Sequence, residues 1–476
     1  MTDSQDLSSV TKQSLQRVVL AISVAGSFLT PFMISALNIA LPSIQKEFSA
    51  DAVVLSWIAT SYLLATAVFL VPIGKIADIY GRARIYKYGI IIFTLFSFAS
   101  GLAPNIELLI LTRVLQGLSA AMISTTGMAL ITSVFPPQER GKALGISVSA
   151  VYIGLSIGPF LGGILTQALG WRSIFFTISP LGLVVIFLIF KYLHTDWADA
   201  KEEKLDIPGS LIYAVTLVAI VYGSSLLPSL PGILLMLCGI PGFILFIKRQ
   251  LTVTNPVFEI RLFKRNKVFA FSNIAALINY AGSNATTFLL SLYLQYIKAM
   301  TPQEAGAILI IQPIAMALLS PFAGRISDKK EPAVISSLGM GCTALGLFIL
   351  TFLSATTPLP VIICALLVLG IGFALFSSPN TNAVMSTVEK RYYGIASASV
   401  STMRLLGQML SMALATLLIS LFVGKNQISP EYYPAFLDSI HVSFLISTLL
   451  CTIGIYFSSA RGSVHHNNQK GRIKED

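Results

Sequence analysis

The chain has 476 residues, 55% of them hydrophobic and only 11% charged, where ordinary soluble domains are roughly one-quarter charged. That composition argues against a soluble enzyme or binding module and places the chain in the membrane class. The net charge of +11 raises a nucleic-acid partner as an alternative, and the placement of the basic residues below explains it instead.

A polar stretch over residues 1–16 precedes the first apolar block. That block runs longer than a signal-peptide core and lacks a cleavage site, so it reads as the first mature helix. Hydropathy and the Gly, Pro and charged breaks predict about fourteen spans. Their limits are 17–42, 53–74, 84–103, 106–131, 142–168, 173–193, 206–227, 231–248, 266–292, 303–325, 333–353, 359–379, 393–423 and 437–459, each near the ~20 residues that cross a bilayer.

With both termini placed in the cytoplasm, external loops hold only Lys46, Arg172, Lys298 and Lys425, and two arginines lie within spans. The rest of the 32 basic residues fall inside, as the positive-inside rule requires. The charge follows from topology, and no nucleic-acid partner is expected. The cysteines Cys238, Cys342, Cys364 and Cys451 lie singly in apolar blocks, without the spacing of a metal or redox pair.

Span two ends in Gly74-Lys-Ile-Ala-Asp78 and span ten in Gly324-Arg-Ile-Ser-Asp328; Gly141 and Gly154 of span five recur as Gly394 and Gly407 of span thirteen. Near-constant spacing points to an internal duplication, a plan used by transporters whose site lies between two halves. The expected organisation is a cytoplasmic tail (1–16), a six-helix bundle (17–194), an inserted helix pair with flanking loops (195–265), a second six-helix bundle (266–460) and a cytoplasmic tail (461–476). A lipid-facing structural role suits the inserted pair, whose span interiors carry no charge.

After Asp78 the loop continues through Gly81, Arg82 and Arg84. Gly74 permits close helix approach, Gly81 a tight turn, and Asp78 can face a helix N-terminus. An ordinary positive-inside loop explains the arginines alone, not the Gly and Asp spacing. Span five carries Gly145, Gly154, Gly158, Pro159, Gly162 and Gly163. Positions 154, 158 and 162 form one smooth face for another helix, and Pro159 is expected to kink the span.

Together these motifs resemble the major facilitator superfamily. The loop is similar to that superfamily's signature and the span-five string to the motif of its antiporter branch. Arg113-Val-Leu-Gln116-Gly117 is similar to a third motif of drug:proton antiporters, and Asn38-Ile-Ala-Leu41-Pro42, Trp57-Ile-Ala-Thr60-Ser-Tyr62, Trp171-Arg172, Asn255-Pro-Val-Phe258 and Leu262-Phe263 extend the likeness to the fourteen-span branch. The resemblance implies two halves rocking about a central cavity, with the Asp78 loop latching the cytoplasmic side and span five sealing the interface. One position departs from the branch: Met33 stands where its aspartate precedes the Asn-x-Ala-Leu-Pro stretch.

All acidic residues fall in tails, loops or span ends. Arg113 lies roughly 10 Å into span four and Arg404 roughly 16 Å into span thirteen, at 1.5 Å per residue. A mid-bilayer charge must face protein or water, so each arginine either lines the path or ties helices together through backbone carbonyls. Asn38, Tyr62, Tyr152, Asn279, Asn284, Gln312, Gln116 and Gln408 offer a sparse polar lining, or interhelical hydrogen bonds taken singly. Glu304 belongs to a capping box with Thr301.

No phosphate loop or soluble nucleotide domain is present, so a gradient must supply the energy. The histidines do not form a nucleophile or metal constellation in the spans, which leaves an intramembrane enzyme or a sensor as the weaker alternatives. The expected function is alternating-access export of small amphiphilic molecules from the cell membrane by a monomer, coupled to protons and without a cofactor. The alternative is a proton-independent uniporter or exchanger, or an importer of a specific neutral or anionic solute. The acid-free interior favours neutral, zwitterionic or anionic cargo over cationic, because a buried cation finds no partner.

Overall fold

The computed structural model describes residues 2–193, 195–198, 203–388 and 393–462; the side chains of 2–13, 137–138, 141–142, 328–329 and 393–394 lie outside that description. It is 86% helical, with no strand among the described residues, so each helix satisfies its own backbone as hydrocarbon surroundings demand. The helices are α1 Thr2–Phe48, α2 Ala52–Tyr80, α3 Arg82–Gly101, α4 Ile106–Val134, α5 Pro137–Leu169 and α6 Arg172–Tyr192, then α7 Ile207–Ser225, α8 Leu230–Thr252 and α9 Ile260–Arg265. There follow α10 Lys267–Ser283, α11 Ala285–Leu292, α12 Pro302–Leu309, α13 Ile311–Lys329, α14 Pro332–Leu350, α15 Leu359–Ser386, α16 Tyr393–Phe422 and α17 Tyr433–Ala460. Side-chain caps fix several starts: Asp51 accepts from the Val54 N–H, Asn105 from Leu108, Asn266 from Phe269, and Thr301 with Glu304 forms the expected capping box.

Twelve segments are long and apolar enough to cross a membrane, where hydropathy predicts about fourteen. α3 falls outside the set because Arg82, Arg84 and Lys87 occupy its first two turns. The span expected over 266–292 is two shorter helices. At its break the Ala285 N–H donates to Ser411 Oγ of α16 at 2.9 Å, so a neighbouring helix has taken a donor from the ladder. A π-helical turn, Tyr293–Ile297, follows α11. The α12/α13 break has a different cause. Pro313 has no N–H and its ring clashes with the carbonyl four residues back, yet Pro302–Ser327 still qualifies as one crossing segment. The first helix also starts earlier than the sequence suggests, at Thr2.

Internal duplication is visible in contacts that recur at shifted positions. A Cβ on Gly117 would lie 2.7 Å from Ala65 Cβ, and one on Gly370 would lie 2.7 Å from Ala315 Cβ. Gly154 meets the Phe28 carbonyl at 2.7 Å and the Phe32 amide at 3.1 Å, while Gly407 meets the Leu277 carbonyl at 2.6 Å and the Ala281 amide at 3.0 Å. Gly74 faces Thr125, and Gly324 faces Ser378. Each partner in the second set lies 249 to 253 positions after its counterpart, a constancy that unrelated helix packing has no reason to produce. The side chain of Asp328 lies outside the described set, as do those at 141 and 394.

Within the first half α1 packs on α5 and α2 on α4, and within the second α10 packs on α16 and α13 on α15; α2–α16 and α5–α12 join the halves. The inserted α7 lies against both α2 and α16. Its Tyr213 hydroxyl donates to the Ala67 carbonyl at 3.1 Å, and Ser420 of α16 donates to the Leu227 carbonyl at 3.0 Å. α8 is the outward member, with Ile233, Leu237, Ile240 and Ile244 exposed. A lipid-facing place thus fits α8, while α7 covers the seam between the halves.

Candidate functional site

Arg113 is 1% exposed and held entirely by protein. Its Nε donates to the Ile58 carbonyl at 3.1 Å, a terminal nitrogen donates to Gln116 Oε1 at 2.8 Å, and Gln116 Nε2 passes the chain on to Ser97 Oγ at 2.8 Å. The guanidinium stands 4.2 Å from the Tyr62 ring centroid, a cation–π contact strengthened by desolvation. Helices α2, α3 and α4 therefore close around one buried cation that has no carboxylate partner among the described residues. Arg113, Gln116 and Tyr62 are brought together as the sequence suggests, but as an interhelical tie. Met33, where the antiporter branch carries an acid, is fully buried in the main apolar core.

A second group sits where the halves meet. Tyr152 of α5 shares a hydrogen bond of 3.2 Å with Ser377 of α15 and packs with Met316, Leu319, Phe373 and Tyr280. Tyr280 and Phe373 meet edge to face at 5.7 Å, and Gly407 lets Tyr280 Cβ approach α16. Arg404 lies within electrostatic reach of Tyr152 and is partly exposed, as are Gln408 one turn on, Gln312 and Asn284. Gln312 stands at the position of the second half that matches Tyr62, since their carbonyls face Gly370 and Gly117 respectively. Asn279 is fully buried with neither side-chain polar atom paired, and Asn38 Oδ1 is unpaired too. Among the described residues every carboxylate lies near a helix end or in a connection.

One end of the seam is shut. Ser291 donates to the Asn38 carbonyl at 2.7 Å, Gln295 to the Ile39 carbonyl at 3.0 Å, and Gln427 to the Ser49 carbonyl at 2.8 Å; the Ala52 N–H donates to the Asn426 carbonyl at 2.9 Å. Tyr296 adds a hydrogen bond to Gln45. These bonds lie at the end carrying the α1–α2 connection, opposite the Asp78 loop.

The glycines of α5 serve two faces where one was expected. Gly154, Gly158 and Gly162 accept Phe28, Ser35 and Ala36 of α1 within the same half. Gly163 faces Pro302 and Gln303 of α12 across the seam, and Gly306 of α12 faces the Pro159 carbonyl in return. Gly145 has open space around it. The spacing of 154, 158 and 162 revealed the first face; Gly306 carried no signal of its own because its partner is a backbone atom in the other half.

At the opposite end, Asp78 accepts from Arg82 Nε at 2.9 Å, and Arg82 also donates to Ser133 Oγ of α4 at 3.0 Å. Gly81 adopts φ +114°, a conformation that glycine alone takes at little cost. Arg84 lies 3.7 Å from Asp196, beyond α6. Asp196 was not legible in advance, and neither was Arg461. The latter is buried at the end of α17, where it donates to Asn380 Oδ1, the Pro332 carbonyl and Ser272 Oγ at 2.8, 2.8 and 3.1 Å. Gly324 and Ser378 form the matching contact in the second half.

Among the described residues no cluster of potential metal ligands occurs. The family model described as Major Facilitator Superfamily matches residues 24–412 and 273–471. The chain is 32% identical to the riboflavin transporter RibZ of Clostridioides difficile, across 92% of this chain and 96% of that protein. It is 32% identical to the multidrug resistance protein Stp of Mycobacterium tuberculosis (84% and 75% covered) and 26% identical to the tetracenomycin C resistance and export protein of Streptomyces glaucescens (85% and 76%). A solved bacterial homologue of the human lysosomal transporter Spinster, in an inward-facing and unoccupied conformation, superposes with a TM-score of 0.68 at 16% identity, covering 95% of this chain and 97% of that one. Family match, relatives and fold converge: this chain is a multi-pass membrane transporter, not an enzyme, and belongs to the Major Facilitator Superfamily.

Proposed function

We propose that this transporter is a secondary active exporter of small amphiphilic molecules, neutral or anionic, working by alternating access. One observation carries the reading: among the described residues, the partly exposed polar groups where the halves meet include Arg404 and no carboxylate. A strongly cationic cargo would lack a counter-charge there. Riboflavin is a reasonable first cargo to test, being an uncharged planar amphiphile and the substrate named for a relative that matches nearly the whole chain.

In this reading α3 and the α10–α11 pair also cross the bilayer, completing fourteen spans. The halves are residues 17–194 and 266–460, separated by the inserted pair within 195–265. Both termini lie in the cytoplasm of a plasma-membrane monomer. The hydrogen-bonded end of the seam is then the external gate, shut, and the Asp78 loop belongs to the cytoplasmic gate with Gly324 and Asp328.

The energy source is proposed to be proton antiport. A second reading, uniport or exchange without protons, is favoured by Met33 in place of an acid and by arginines that stay protonated. Proteoliposomes holding equal riboflavin on both sides separate the two. Antiport predicts accumulation in the compartment made acidic, whereas an unchanged distribution in vesicles that still equilibrate riboflavin selects uniport.

A further inference from the structure

The connection between α6 and α7 is built into the Asp78 loop rather than lying beside it. Asp196 Oδ1 accepts from the Ala83 N–H at 3.0 Å and from the Trp197 N–H at 2.9 Å. The Trp197 carbonyl accepts from the Arg82 N–H at 2.9 Å. Two donors of the first turn of α3, which no intrahelical carbonyl can satisfy, are thus satisfied by this connection. The Asp196 carboxylate fills the space in which Gly81 would carry a side chain. Further along, Glu203 forms an ion pair with Lys75 of α2.

Beyond Glu203 the same chain enters the inserted pair through a buried knot. Asp206 is 2% exposed at its side chain. It caps the Gly209 N–H at 3.1 Å and accepts from Arg249 at 2.6 Å and Gln250 at 3.0 Å. Gln250 Oε1 in turn receives the Val257 and Phe258 N–H groups at 2.8 and 3.2 Å. Burial alone would raise the Asp206 carboxyl, but the hydrogen bonds from Arg249, Gly209 and Gln250 with the Arg249 charge hold it below its ordinary value. The start of α7, the end of α8 and the Asn255-Pro-Val-Phe258 segment therefore form one unit. On its far side the chain joins the second half through Phe263 against Phe269, 5.0 Å apart, and through Asn266, which donates to the Thr387 carbonyl at 2.8 Å.

We propose that Asp196 is a positioning residue of the transport cycle: through it the α6–α7 connection docks the inserted pair onto the first half, so that α7 travels with α2 while α16 slides along it. The pair is attached to the first half by the Asp196 cap, the Lys75–Glu203 pair and the Tyr213–Ala67 bond, and to α16 by apolar contacts with Met409 and Ala413 and the Ser420 hydroxyl. Apolar contacts and a single hydroxyl exchange partners more readily than a helix cap reinforced by an ion pair. The inference rests on the rocking of halves proposed above.

The test uses full-length protein in proteoliposomes, with the four free cysteines replaced. Two cysteine pairs are introduced: K75C with E203C, joining α2 to the connection, and S225C with S420C, joining α7 to α16. Asp196→Ala is expected to lower the disulfide yield of the first pair roughly fivefold and leave the second unchanged, whereas Asp196→Asn, which keeps a capping oxygen, restores the first yield. That readout needs no cargo. With riboflavin as the probe, Asp196→Ala lowers Vmax roughly tenfold at unchanged KM. The α2 disulfide leaves flux intact, and the α16 disulfide stops it until reductant is added. Equal disulfide yields in Asp196→Ala and wild type, or a stop imposed by the α2 disulfide, would overturn the docking. Absence of riboflavin flux in the wild type would count against the cargo reading alone, because the yields still decide the docking.

Discussion

Arg113→Leu is expected to lower both the thermal stability of the purified protein and its transport rate, the latter by more than tenfold. The guanidinium supplies the donor to Gln116 Oε1 and a second bond to the Ile58 carbonyl, all in a buried setting. Removing it orphans the glutamine oxygen, a loss of ~1–3 kcal/mol for a buried acceptor, and also removes the contact with Tyr62. Lysine does not rescue the site, since a single ammonium cannot reproduce the planar fork. The matching positions of the second half show what an apolar solution looks like: Leu366 and Leu369, both fully buried, stand 253 residues after Arg113 and Gln116. Arg113→Leu combined with Gln116→Leu therefore recovers part of the melting temperature, while transport stays low. The glutamine oxygen is no longer orphaned, and the Ser97 hydroxyl, which can turn to another partner, loses only its bond from Gln116. Wild-type melting and flux in the single variant would show that the tie is dispensable.

The second large effect separates neighbouring glycines. A methyl at Gly162 would meet the Ala36 carbonyl at 2.7 Å, inside the first half, whereas one at Gly163 would collide still more closely with the Pro302 carbonyl, and meet Gln303 Cα at 3.0 Å, across the seam. Overpacking of this kind costs ~1–3 kcal/mol. Gly162→Ala is expected to lower the melting temperature by several degrees, because α1 and α5 stay packed throughout the cycle. Gly163→Ala is expected to leave melting nearly unchanged and to push the equilibrium away from the shut end. Maleimide labelling of Ser291→Cys, a position buried under that end, is the readout and should rise several-fold with Gly163→Ala. Equal labelling with and without Gly163→Ala would show that α12 does not close on α5 in the way described.

The sequence reads well where a pattern lies within one element. Apolar length located nearly every helix, four-residue glycine spacing revealed the α1-facing surface of α5, and the Thr301 capping box formed as its residues imply. What remained hidden depends on partners from elsewhere. The α10–α11 break has no proline to announce it, and Gly282 beside it does not by itself place a break; Ser411 of another helix diverts the bond. Asp196 looks like an ordinary loop acid until the chain folds it over Gly81. Gly306 acquires meaning only against the Pro159 carbonyl. Of the site residues, the Arg113 group was foreseeable from its spacing, but its complete enclosure was not. Burial at that depth is set by three helices at once. The departure at Met33 was legible at once, and its burial in the core gives it a packing role.

The central claim is that cargo moves between two halves whose meeting surface carries arginine and no acid. The most direct test compares saturable, protein-dependent flux of riboflavin, riboflavin 5′-phosphate and methyl viologen in the same proteoliposomes. These are a neutral amphiphile, its anionic derivative and a permanent dication. The account predicts saturable flux of the neutral or the anionic compound and no protein-dependent movement of the dication. Saturable, protein-dependent transport of methyl viologen would contradict it.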